Sequence, residues 1–179
     1  ETLAVTLYAS AYAVFQGLED PVGVARTCHN LGVLAREAGR WQEALSWSER
    51  AVAAAEEAPE TELEGQARAG FAAAALGLGR LGVAREQVRR AGRLAERAGD
   101  RIGAAEVARL TGELELASGY PGAGLAAARE AWRGAHRLGC TQVSAEAAEL
   151  AARCCQALHR ARQARRFRAL ASARFSALG

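Results

Sequence analysis

Three columns of small side chains recur every forty residues along this 179-residue chain, and no other feature limits its fold so tightly. One column runs Gly32, Ala72, Gly112, Ala152; a second Ala4, Ala44, Ala84, Gly124, Ala164; a third Ala11, Ala51, Ala91, Ala131, Ala171. Ala and Gly together supply 64 of the 179 residues. Fourteen matches out of fourteen would then arise by chance on the order of one time in a million, before allowing for the choice of columns. A fourth series, Gly39, Gly79, Gly119 and then His159, marks a turn in each period, with Gly suited to the residue just beyond a helix. Each period is therefore one structural unit repeated along the chain.

Composition says what the unit is made of. Ala accounts for about half of the hydrophobic residues, only ten residues are aromatic and there is a single Ile, which argues against sheets and for thin helices packed closely. Helix starts are signalled by Asp20 before Pro21, by Thr61 with Glu64 as a capping box, by Asp100 before Arg101, and by Pro121. The pattern predicts nine antiparallel helices near 2–17, 22–38, 41–57, 61–78, 81–98, 101–118, 121–138, 142–157 and 161–178. They form one repeat domain over 1–179, with units near 1–20, 21–60, 61–100, 101–140 and 141–179. Small residues let helix axes approach, while Leu31, Leu34, Leu45, Trp41 and Trp47 fill the space beside each crossing. The first helix reads as the second half of a unit, and the missing initiator Met as a sign of a longer parent protein, whose head could have carried a signal peptide. Phe175 and Leu178 end the chain on an apolar note, which suggests further sequence or self-association through apolar ends.

The best-preserved unit reads Asn30-Leu31-Gly32, then Gly39-Arg40-Trp41, then Glu43-Ala44-Leu45 and Glu49-Arg50-Ala51-Val52. This resembles the tetratricopeptide repeat (TPR), in the forty-residue variety of kinesin light chain and large bacterial transcription regulators. Later units are weaker: Pro121 and Gly124 replace the turn aromatic and first Ala, and the fifth lacks the turn Gly. HEAT-type helix pairs are the competing architecture, since their period is also near forty. The small-residue columns and the Gly-x-aromatic turn favour the first. The resemblance implies an all-α, right-handed superhelical solenoid whose first helices line a concave, partner-binding groove.

Carried onto this sequence, that lining comprises Arg26, His29, Asn30, Val33, Arg36 and Glu37, then Gln66, Ala69, Gly70, Ala73, Leu76 and Gly77. Glu106, Arg109, Leu110, Glu113, Leu116, Glu149 and Arg153 continue it. The middle stretch has almost no large polar side chains, a floor suited to the apolar side of a helix or peptide. Asn30 stands where kinesin-light-chain-like repeats hold a peptide backbone, but Gly70, Leu110 and Leu150 break any asparagine ladder, and the family's Lys/Asn/Arg carboxylate clamp is missing. The expected function is a non-catalytic scaffold for a protein or peptide, acting as the sensing or interaction part of a larger bacterial, cytoplasmic regulator.

Charge supplies the alternative. Residues 1–79 carry 5 Arg and 11 acids, residues 80–179 carry 18 Arg and 9 acids, and Lys is absent. Arg89, Arg93 and Arg97 form an i, i+4 stripe that Arg129, Arg133 and Arg137 repeat forty residues on, a convex basic ridge. Arg160, Arg162, Arg165, Arg166 and Arg168 add a basic run with no acid after Glu149. Nucleic acid, acidic protein or anionic lipid are the partners such a surface attracts, although few aromatics are present for base stacking. The acidic stretch Glu56, Glu57, Glu60, Glu62 and Glu64 reads as a solvated loop or as a contact for the basic half of another copy. Cys28, Cys140, Cys154 and Cys155 contain no C-x-x-C pair, so buried free thiols are expected rather than disulfides or a metal site. Gly77 to Gly82 spells G-x-G-x-x-G, but a helix rather than a strand leads into it, so no cofactor is expected. No Ser/His/Asp or paired-carboxylate constellation points to an enzyme. No run of residues is apolar and long enough for a membrane span.

Overall fold

The computed structural model describes the backbone of residues 2–175 and the side chains of residues 3–173. Among the described residues there are nine helices and no strand: α1 (Thr2–Gly17), α2 (Pro21–Glu37), α3 (Trp41–Glu57), α4 (Thr61–Gly77), α5 (Leu81–Ala98), α6 (Arg101–Ala117), α7 (Pro121–Arg137), α8 (Thr141–Ala157) and α9 (Ala161–Phe175). Every predicted helix is present, and among the described residues the ends coincide with the expected ones or shift by one. Leu78, Ser118 and Leu138, which the pattern assigned to helices, are the C-caps that lead into turns. The side chain of Phe175, and Leu178 altogether, lie outside the described residues.

Reversals fall every twenty residues, twice as often as the Gly series alone suggests. Gly39, Gly79, Gly99, Gly119 and Gly139 all have positive φ, and so do Glu19 (φ 53°) and His159 (φ 57°). At residues 35–40 the Gly39 amide donates to the Arg36 carbonyl at 2.9 Å and the Arg40 amide to the Ala35 carbonyl at 2.8 Å. These two bonds satisfy carbonyls the helix leaves open, and they require a left-handed residue at position 39. The same paired bonds recur around Glu19, Gly79, Gly119, Gly139 and His159. The turn at 58–60 differs: Ala58 is extended and Pro59 follows.

The chain divides into two compact units, residues 1–98 and 99–179. In the first, α1 to α5 pack in sequential order and α2 also touches α4; in the second, α6 to α9 do likewise and α6 also touches α8. Twelve of the fourteen column residues are buried, and the other two, Ala4 and Ala11, are half-buried on α1. In the second unit backbone meets backbone closely. A methyl group added to Gly112 would lie 3.0 Å from the Gly124 carbonyl oxygen and 3.2 Å from the Ala128 nitrogen, so α6 and α7 cross with no room for one. Trp41 covers Gly77 so closely that a side chain there would enter the indole ring.

Asp20 and Asp100 cap α2 and α6 as expected, each accepting from two amides of the first turn. The capping box at Thr61 does not form. Thr61 is the first helical residue, Glu60 stands at the N-cap without a side-chain bond, and the Glu64 carboxylate turns instead to Arg68.

Candidate partner-binding face

The inner helices, α2 and α4 in one unit and α6 and α8 in the other, carry the predicted lining. Aligned on the forty-residue period, His29 corresponds to Arg109, and Gln66 to Glu146. These equivalent positions behave oppositely. In the second unit the Arg109 Nε lies 3.1 Å from Glu146 and its Nη1 lies 2.8 Å from Glu113, with Glu106 holding the other edge, so α6 and α8 are tied together. In the first unit a cavity of about 330 Å³ opens between α2 and α4, and both His29 and Gln66 line it.

Arg26, His29, Asn30, Glu60, Glu62, Leu63 and Gln66 line that cavity. Arg26 crosses its mouth to Glu60 at 3.0 Å, an exposed pair that water screens. Gln66 donates to Glu62 at 3.2 Å, which leaves its amide oxygen and the Asn30 amide as neutral hydrogen-bonding groups. Gly70 leaves space beside His29: a Cβ there would sit 3.3 Å from the imidazole Nδ1. The wall is thus polar and mixed in charge, with Leu63 as its apolar element. Such a surface reads extended backbone and polar side chains through directional bonds.

Four of the predicted lining residues, Arg26, His29, Asn30 and Gln66, therefore meet at one cavity. Val33, Arg36, Ala69, Gly70 and Leu76 lie half-buried along the same two helices, and Glu37 and Gly77 are exposed at their ends. Ala73 is buried. Leu110 requires correction, because it is 0 % exposed and belongs to the core rather than to an accessible floor. Arg109 requires another. At 5 % exposure it is a buried cross-link and not a groove side chain. Burial works against the Arg109 charge, but the bond to Glu106 and the charges of Glu106, Glu113 and Glu146 outweigh it and hold the guanidinium above its ordinary pKa. Glu113 is engaged by Arg109 and lies 4.0 Å from exposed Arg153; Leu116 packs on the second unit's core, and Glu149 is half-buried.

The acidic stretch also changes meaning. Glu56 and Glu64 hold Arg68, which is 4 % exposed and also donates to Gln87 at 3.2 Å. Arg68 escaped the sequence reading, although Glu64 at i−4 signals it, as Glu106 and Glu113 at i−3 and i+4 signal Arg109. Glu57 and Glu62 remain exposed.

The ridge is partly spent locally. Arg89 and Arg90 share Glu86, whose carboxyl their hydrogen bonds hold down at about 2, and Arg129 lies 5.6 Å over the Phe167 ring. Arg93, Arg97, Arg133 and Arg137 are exposed, as are Arg160, Arg162, Arg165, Arg166 and Arg168. Cys28, Cys154 and Cys155 are buried free thiols, and Cys140 is half-buried. His136 stacks on Trp132 with centroids 5.2 Å apart. Gly77 to Gly82 spans the end of α4, a turn and the start of α5. Among the described residues no group of His, Cys, Asp and Glu is placed to hold a metal ion, and no helix is long and apolar enough to cross a membrane.

Residues 2–57 match the tetratricopeptide repeat family. Over those residues the chain is similar to the tetratricopeptide repeat (TPR). The match covers α1 to α3, including the Asn30-Leu31-Gly32 and Gly39-Arg40-Trp41 segments. A similar solved structure is a de novo designed helical repeat protein, 18 % identical over 93 % of this chain and 92 % of that one, with a TM-score of 0.42. No curated protein matches the sequence.

Proposed function

We propose that the protein is a non-catalytic scaffold that binds an extended peptide or a partner helix through the α2–α4 face of its first unit, as the recruiting part of a larger bacterial regulator. The observation that carries this is the open cavity at Arg26, His29, Asn30 and Gln66, set against the salt-bridged closure at the equivalent positions of the second unit. A preformed cavity needs no rearrangement to bind, so affinity rests on a few directional contacts. The capture of peptides from a displayed random library tests it. Peptides selected on the native chain should lose at least tenfold in affinity on the Asn30→Leu, Gln66→Leu double variant, whose circular dichroism should be unchanged. Equal binding to that variant refutes the assignment.

Nucleic acid is the second reading, favoured by the exposed arginines of the 160–168 segment, which no acid accompanies. Its signature is affinity that falls steeply with salt on any DNA or RNA tried. Flat or absent binding removes it.

A further inference from the structure

We propose that the α2–α4 cavity is built for a guanidinium and takes an arginine side chain of the partner peptide. The inference rests on the proposed function and adds the chemistry of what is bound. The second unit shows what the space between two inner helices accepts. There Arg109, at the place of His29, ties α6 to α8, with its Nε 3.1 Å from Glu146 and its Nη1 2.8 Å from Glu113. In the first unit the equivalent residue is the shorter His29, and the room beside it is open.

Charge on the lining selects the occupant. Glu60 is matched by Arg26 at 3.0 Å, whereas Glu62, among the described residues, accepts only from the neutral Gln66 amide at 3.2 Å. Glu62 is therefore the carboxylate of the cavity that no cation faces, and the Gln66 and Asn30 amide oxygens stand beside it as further acceptors. A guanidinium carries five N–H donors in one plane and no acceptor, which suits a carboxylate flanked by amide oxygens better than the point charge of an ammonium does. An acidic side chain would meet Glu60 and Glu62 with Arg26 already engaged. The surroundings act in the same direction: residues 1–79 carry 5 Arg against 11 acids, a field that draws a cationic segment toward the cavity.

Peptides selected on the native chain from a displayed random library, and weakened by the Asn30→Leu, Gln66→Leu double variant, are the probe. They should share an arginine. Replacing it by citrulline, which keeps the shape and removes the charge, should weaken binding by about tenfold or more, and lysine should not restore it fully. Glu62→Gln, with unchanged circular dichroism, should erase the difference between the arginine and citrulline peptides. Gln66→Glu, which gives α4 the carboxylate that α8 has in Glu146, should tighten the arginine peptide, a gain that misfolding cannot produce. Cavity-dependent peptides without an arginine, or arginine and citrulline peptides that bind equally, overturn the guanidinium assignment and leave the proposed function standing. If no selected peptide depends on Asn30 and Gln66, both fall.

Discussion

Replacing one glycine by alanine at two equivalent positions of one column separates close helix packing from mere composition. In Gly112→Ala the new methyl meets Leu150 Cδ2 at 2.9 Å, the Gly124 carbonyl oxygen at 3.0 Å and the Ala128 nitrogen at 3.2 Å. Two of those three atoms are backbone, so relief requires α6 and α7 to move apart. Overpacking of that kind costs about 1–3 kcal/mol, and the better helix propensity of Ala returns about 1 kcal/mol. With backbone atoms in the way the upper part of that range applies, which leaves a net loss of about 1–2 kcal/mol. In Gly32→Ala the nearest atoms are Ser48 Oγ at 3.2 Å, the Ala44 carbonyl oxygen at 3.5 Å and Trp47 Cβ at 3.6 Å. Only a hydroxyl has to yield, so that variant should lie within about 0.5 kcal/mol of the native protein. Urea unfolding followed by circular dichroism at 222 nm measures both. A Gly112→Ala protein as stable as the native one, or less affected than Gly32→Ala, would sink the account of the small-residue columns.

Arg109→Met should cost about 2–4 kcal/mol in the same assay, somewhat below the usual loss for a broken buried pair because Glu106, Glu113 and Glu146 keep 23–30 % exposure. Arg26→Met, at an exposed pair, should cost under about 0.5 kcal/mol; equal losses at the two sites would contradict the distinction between cross-link and mouth. His159→Gly should stabilise by about 0.5–1 kcal/mol, since His159 holds a left-handed backbone that Gly adopts without strain, and a lower melting temperature would count against that turn geometry. Burial pushes the Cys28 and Cys154 thiols up to about 11, so at pH 8 they stay protonated, and only well above that do they become nucleophilic. A disulfide exchange reagent should therefore label Cys140 first and the other three only on unfolding; two fast native thiols would show the core to be open.

Helix positions were legible because the columns that space them are the same residues that fix their contacts. Gly32, Ala72, Gly112 and Ala152 are buried where the period predicts. Reversals were legible as gaps between the expected helices, but the Gly series in a forty-residue register marks only every second one, although Gly99 and Gly139 share the positive φ of Gly39. The site was harder to read, since a face assigned by helical angle cannot say how deep its edge lies. Arg109 and Leu110 sit side by side on α6, the first tied to Glu146 of α8 and the second fully buried, which no periodicity in α6 records. Thr61 shows the same limit locally, where a demand from buried Arg68 outcompetes a capping box for Glu64.

The reversal at Ala58-Pro59-Glu60 departs from the others, and the difference bears on where this chain tolerates change. At Glu19, Gly39, Gly79, Gly119, Gly139 and His159 a single left-handed residue and two fixed hydrogen bonds leave no slack, so one inserted amino acid would rotate everything downstream out of phase. Extended backbone at Ala58 has no such closure to break. A tag, a dye or a cleavage site placed there is the modification this architecture absorbs most readily, and natural length variation should concentrate at the same place.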